Sequence, residues 1–366
     1  MQENNPQMRH KGKKRRRSEN SILISSIILC IITLCAITVC MIMVFRYRAA
    51  QLETVEVMNE LEVLEETYTY TKEEVDALII QNTEEVSRQA SDETRAEILN
   101  SMKEQMLSGD GALKMLRNFY PDDVVMVDAN QYYFIPIVDE LKANTYEKDN
   151  FVITDDELLE YYDGDNLISH KGIDVSRYQK NIDWNKVAKD DVEYAFIRLG
   201  IRGYSEGAIQ KDDNFEKNIK GALDNNIDVG VYFFTQATSV EEAEEEAEFV
   251  LDEIEPYNVT YPVVLDVEAV SSDKARAKDL TKEERTEYAI AFLEKIKNAG
   301  YTPMIYGNLK TFMLLLDMEQ LEVYDKWFAQ FDTELYFPYD FKIWQYTDEG
   351  KVSGIGTDVD INISFY

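Results

Sequence analysis

The chain has 366 residues, 45% of them hydrophobic, which gives room for about two domains with a real core and excludes a disordered polymer. Its formal charge of −32 is unevenly spread: residues 1–50 hold nine Lys/Arg against two acids, leaving 29 basic and 68 acidic residues beyond them. So acidic a surface excludes a nucleic-acid partner, whose phosphates require a basic footprint.

In chain order, residues 1–21 form a basic tail containing Arg9, Lys11, Lys13, Lys14, Arg15, Arg16 and Arg17. The uncharged stretch ILISSIILCIITLCAITVCMIMVF (22–45) is long enough to cross a bilayer core of about 30 Å and predicts a transmembrane helix. Only Arg46 and Arg48 follow it closely, so the positive-inside rule places the N-terminus in the cytoplasm and the rest outside a cell membrane crossed once. A cleaved signal peptide is the rival reading, but its apolar region is normally shorter and ends in small residues, whereas this one ends MIMVF. Cys30, Cys35 and Cys40 are the only cysteines and all lie in the span, so the exported part has no disulfide, thiol nucleophile or zinc-thiolate set. With His170 alone outside, acid–base chemistry falls to carboxylates.

Residues 46–110 read as a Glu-rich helical stalk, with patchy helical spacing at Val75, Leu78, Ile79, Asn82 and Val86 and no sustained heptad. Residues 111–166 read as a small α+β adaptor. Within it VVMVDANQYYFIPI predicts two strands around Ala129-Asn130, and Thr154 predicts a capped helix over DDELLEYY. Stalk and adaptor are the parts available to protein partners. From 167 to 366, eight strand candidates recur: GIDVS, EYAFIRLG, DVGVYFF, YPVVLDVE, TPMIYG, KWFAQF, FKIWQY and DVDIN. Helical stretches separate the earlier ones, and the last of these helices ends at Gly300, which fits a C-cap. The fold class is therefore α/β: an eight-stranded parallel (β/α) barrel that loses helices toward its C-terminal end, preceded by membrane helix, stalk and adaptor.

In such a barrel the chemistry lies at the C-terminal strand ends. Asp174 ends strand one, Asp266 and Glu268 end strand four on one strand face, and Asp360 lies in strand eight beside strand one. Like charges so close raise at least one pKa, which suits proton transfer. Tyr232, Tyr306, Trp327, Trp344 and Tyr346 lie in or beside strand ends, where flat rings can stack on a ligand while their polar tips hydrogen-bond. Tyr232, Tyr306, Trp327, Trp344 and Gln345 are taken as substrate contacts, and Trp184 as packing.

The stretches GIDVSRYQKNIDW, FIRLGIRGYSEGAIQKDDNFEKNIKGA, GVYFF, YPVVLDVE, MIYGN, KWFAQF and IWQYTDEGKVSGI, followed by DVDIN, resemble the catalytic domain of glycoside hydrolase family 25 in the family's own order. That resemblance implies a lysozyme (N-acetylmuramidase) cleaving peptidoglycan glycan strands between N-acetylmuramic acid and N-acetylglucosamine. It implies Glu268 as general acid and Asp266 as the group that orients or stabilises the reacting sugar, with Asp174 and Asp360 completing an acidic floor. No cofactor or metal is assigned. Tyr178, Lys180 and Phe233 depart from the family, which commonly has Trp, Gly and His at these places. The spacing leaves retention, inversion and attack by the substrate's own N-acetyl group open, and the third is the preferred route. Two other classes of function remain: a non-catalytic wall-binding scaffold, and a phosphoesterase using divalent cations held by the carboxylates.

Overall fold

The computed structural model describes residues 33–34, 36–50, 52, 54, 72–108, 111–332 and 334–366. The basic tail and residues 22–32 and 35 of the expected membrane span lie outside the described residues, as do residues 51, 53, 55–71 and 109–110 of the stalk. Residues 36–50 are helical, and among the described residues no helix is long and apolar enough to cross a membrane. The stalk helix Lys72–Leu107 runs 36 residues, ~54 Å at the usual rise, and buries none of its side chains.

Residues 102–366 form one compact unit. It begins with the helix Ala112–Phe119 and a hairpin of β1 (Asp123–Asp128) and β2 (Gln131–Pro136). Ala129 and Asn130 take φ of 48° and 62° between the two strands, the left-handed pair that a two-residue hairpin turn needs. A three-stranded antiparallel sheet follows, of β3 (Phe151–Ile153), β4 (Leu159–Asp163) and β5 (Asn166–Leu167). This corrects the helix expected after Thr154. The Thr154 hydroxyl instead accepts from the Leu158 amide at 3.1 Å and closes a turn. Leu159 and Tyr161 are both buried with Glu160 between them, so period-two burial overrides the helical composition of DDELLEYY.

The eight barrel strands are β6 (His170–Val175), β7 (Tyr194–Arg202), β9 (Asp228–Phe234), β10 (Val263–Asp266), β11 (Pro303–Asn308), β12 (Asp325–Ala329), β13 (Ile343–Gly350) and β14 (Val359–Ser364). β6 pairs with both β14 and β7, which closes the sheet, and β8 (Ile209–Lys211) is a short hairpin partner at the end of β7. One correction concerns direction: β14 runs antiparallel to both β13 and β6. The connection 351–358 is shorter than the dozen or so residues a parallel crossover takes, so the chain returns as a hairpin.

Side chains alternate across each strand. Ile173, Ile197, Val231, Leu265, Ile305 and Phe328 belong to the outer apolar layer, against which the helices Phe215–Asp224, Val240–Ile254 and Lys282–Asn298 pack. Tyr194, Phe196, Val264, Met304, Trp327 and Ile343 form a separate cluster inside the barrel. Room for the large rings comes from glycine: a Cβ on Gly172 would lie 2.1 Å from Tyr194 Cζ, and one on Gly230 would lie 2.3 Å from Phe196 Cε1. Gly172→Ala is expected to destabilise the protein by about 1–3 kcal/mol through overpacking. Thermal melting of the full chain checks this, and an unchanged midpoint would contradict it.

After β12 no long helix covers the barrel among the described residues, and residues 111–168 take that place. The Val125 amide donates to Tyr336 Oη at 2.7 Å, the Val138 amide to Tyr339 Oη at 3.0 Å, and Tyr146 Oη to the Phe341 carbonyl at 3.1 Å. Tyr146 stacks on Phe365 at 4.0 Å, and Phe151 meets Trp344 edge-on at 5.4 Å. Val124, Met126, Leu141 and Leu159 join the same apolar cluster as the outer barrel layer.

Candidate active site

The parallel strands end at one mouth of the barrel, and β14 begins there because it runs the other way. Its direction brings Asp360 opposite Asp174 as register partners on neighbouring strands. Asp266, the last residue of β10, lies between Phe234 of β9 and Tyr306 of β11, with Glu268 two residues beyond the strand end. All four acids line one open cleft of about 370 Å³, a volume within the range of small-molecule sites. Tyr232, Tyr306, Trp327 and Gln345 line it too. His170 starts β6, at the other end of the strand from Asp174, and its Nδ1 lies 2.7 Å from Glu193 Oε2.

The carboxylates differ in surroundings. Asp174 Oδ2 accepts from Gln345 Nε2 at 2.8 Å and from Asn362 Nδ2 at 2.9 Å. Asp266 is also buried, yet its Oδ1 has no hydrogen-bond partner. Glu268 reaches solvent at the cleft rim. Burial pushes the Asp174 carboxyl up to about 6, against the pull of its two amide donors, with the Glu268 charge adding to the rise. Burial first, then the Asp174 charge, pushes Asp360 up to about 9. Asp266 is raised well above the carboxylate range by burial, then by Glu268 and Asp174, with Arg198 opposing. Glu268 is raised by the protein around it, with contact to Asp266 opposing. Four carboxylates so close cannot all ionise near neutral pH, and the cluster holds protons as a coupled set.

Trp344 requires correction as a substrate contact. On β13 it points away from the cleft, is fully buried against the adaptor, and donates its indole N–H to the Gln330 carbonyl at 2.9 Å. Gln345, its neighbour, points inward, and strand alternation excludes both from one face. Trp327 reaches the cleft floor but is 2% exposed, with its ring stacked on Phe196 at 4.4 Å, so it offers no free face to a sugar. Asn362 and Arg198 at the site, with Asp212 behind the arginine, are additions to the sequence reading. Asn362 contacts Asp174, and Arg198 lines the cleft while donating from Nε and Nη2 to the buried Asp212 Oδ2 at 2.9 and 2.7 Å. For two of them the signal is period two: Arg198 follows Phe196 and Asn362 follows Asp360, each on an inward face.

The sequence profile of Glycosyl hydrolases family 25 matches residues 173–355, half of the chain. The chain belongs to this family. Among its relatives is the uncharacterised protein YegX of Escherichia coli K12, 31% identical over 203 residues, covering 52% of this chain and 68% of that one. Similar solved structures include the modular autolysin LytC of Streptococcus pneumoniae, in complex with a synthetic peptidoglycan ligand. It is 24% identical with a TM-score of 0.49, and the match covers 58% of this chain and about half, 52%, of LytC. A family 25 glycosyl hydrolase of Bacillus anthracis is 26% identical with a TM-score of 0.46, covering 54% of this chain and 89% of that one.

Within the family frame the three departures fall in different places. Phe233 is fully buried in the outer layer, 6.2 Å from Phe249, so the substitution for His does not touch the cleft. Lys180 takes φ of 58°, the region that favours glycine. Tyr178 is 63% exposed and lines the cleft, with Arg177 and Arg198 over its ring at 5.4 and 5.0 Å, so an aromatic surface is kept where the family commonly has Trp.

Proposed function

We propose that this glycoside hydrolase cleaves the β-1,4 bond between N-acetylmuramic acid and N-acetylglucosamine in peptidoglycan. The observation that carries the reading is the pairing of Glu268, at the rim with a raised pKa, with Asp266, buried beneath it with one unpartnered oxygen. Glu268 gives its proton to the leaving glycosidic oxygen. Asp266 Oδ1 is free to accept the N–H of the substrate's acetamido group, turning that group's carbonyl oxygen toward the anomeric carbon. The C–O bond breaks as the carbonyl oxygen bonds to the same carbon, and water then opens the ring so formed, passing a proton to the Glu268 carboxylate. Retention of configuration follows.

The test is the new reducing end released from purified peptidoglycan. N-acetylmuramic acid supports the proposal, N-acetylglucosamine demands another specificity, and no new end favours a glycan-binding scaffold. Activity unchanged by a chelator would separate this route from a metal-dependent one.

The anchor belongs to the same proposal. The basic run Arg9 to Arg17 ahead of an uncharged 22–45 supports a cytoplasmic N-terminus with the barrel outside and tethered. Protease added to wall-stripped intact cells should then remove the barrel and spare an N-terminal tag. Protection of the barrel would overturn this placement.

A further inference from the structure

Trp327 and Tyr306, read from the sequence as sugar contacts, each donate a hydrogen bond to an amide beneath the cleft. Trp327 Nε1 donates to Asn362 Oδ1 at 2.8 Å, and Tyr306 Oη donates to Gln345 Oε1 at 2.8 Å. An indole N–H can only donate, so it fixes the Asn362 carbonyl oxygen toward itself and turns the NH₂ group away. Both NH₂ groups then meet one acceptor, Asp174 Oδ2. We infer that Trp327 and Tyr306 are positioning residues that lock the two amides donor-side toward Asp174, making it the acid that keeps its charge and leaving the mobile proton with Asp266 and Glu268.

A comparison within the cluster supports this. Asp174 is more deeply buried than Asp360, yet its surroundings push it up only to about 6, where Asp360 is pushed to about 9. Two things separate them: the pair of amide donors pulls Asp174 down, since hydrogen bonds to an ionised carboxylate favour that form, and the charges of Asp174 and Asp348 push Asp360 further up. Facing Asp174 are Asp360 from β14, Asp266 and Glu268 from β10 and its end, and the phenols of Tyr194, Tyr232 and Tyr306. Arg198 is the cation acting on Asp266 and Tyr232. With the lock in place, the Asp174 charge raises Asp266 and so keeps a proton on the pair that Asp266 forms with Glu268, ready for the leaving oxygen. Without it either amide can turn its carbonyl oxygen to Asp174, which then takes up a proton, and the pair loses the neighbouring charge.

The inference rests on the proposed muramidase chemistry, so its test includes a readout that needs no turnover. In the full chain, the carboxyl ¹³C resonance of Asp174, assigned with Asp174→Asn, is followed through pH for wild type, Tyr306→Phe and Trp327→Phe. The Asp174 midpoint should rise by about one unit in each folded variant. The alkaline limb of the activity profile should move to lower pH, with kcat reduced more than KM is changed. Tyr306→Phe removes a single oxygen and keeps the ring, so it decides the matter if Trp327→Phe does not fold. A packing role alone would lower the melting temperature and leave every midpoint in place, and an unmoved Asp174 midpoint in folded Tyr306→Phe overturns the inference. Shifted midpoints in a protein that cleaves no peptidoglycan would instead sink the proposed function and leave the lock standing.

Discussion

Glu268→Gln is expected to lower turnover on peptidoglycan by about 10²- to 10⁴-fold, the usual contribution of a general acid. The amide keeps the shape and hydrogen bonding of the side chain and removes only the transferable proton. Retention of the full chain on insoluble peptidoglycan should therefore match wild type, and the thermal midpoint should change little because Glu268 reaches solvent. The pH dependence has a definite sign. The Glu268 pKa is raised and the working form is the protonated one, so wild-type activity is present below that pKa and falls as pH rises through it. A folded Glu268→Gln protein that cleaves within about threefold of wild type, against the 10²-fold minimum expected, would remove Glu268 from the proton-donor role.

Asp266→Asn is expected to cost about 10²- to 10³-fold in kcat, the scale seen when one preorganised group that stabilises a developing charge is lost. The acetamido nitrogen gains positive charge as its carbonyl attacks, and the substituted side chain, a neutral amide, cannot supply the charge that Asp266 carries when the proton it shares with Glu268 sits on Glu268. The substitution also removes a buried carboxyl group whose raised pKa makes folding near neutral pH take up a proton, an unfavourable step that a neutral amide avoids. The variant should thus melt at or above the wild-type temperature while its turnover collapses. Near-normal turnover in that folded variant would show that the substrate's acetamido group needs no help from this position.

Most of the barrel is legible in the sequence because each strand is a short apolar run bounded by helical or polar stretches. The alternation in VVLDVE and DVDIN also places the acids correctly along their strands. Strand direction is not legible: DVDIN has the same alternation read either way, and only the brevity of 351–358 reports the hairpin. DDELLEYY misleads because its acids and leucines suit a helix start, while the partner Phe151 that makes Tyr161 a strand residue lies ten positions earlier in the chain. Trp344 is a different case, since it neighbours Gln345 in one strand and alternation alone forbids both from facing the sugar. The amide network around Asp174 joins residues from β6, β11, β12, β13 and β14, and no local pattern announces it.

The way residues 111–168 cover the helix-poor flank fixes an order of events during synthesis. Val125 and Tyr336, joined by a hydrogen bond, are 211 positions apart, and Val138 and Tyr339 are 201 apart. The hairpin and small sheet emerge from the ribosome long before β12 and β13, the surface they cover, have been made. Until then Val124, Met126 and Leu159 have no barrel wall against which to bury. Loop-closure entropy has to be met across more than half of the chain before those contacts return any free energy, an arrangement that generally slows folding. The last strand completes both structures together: β14 closes the barrel, and Phe365, directly after it, supplies the ring on which Tyr146 stacks.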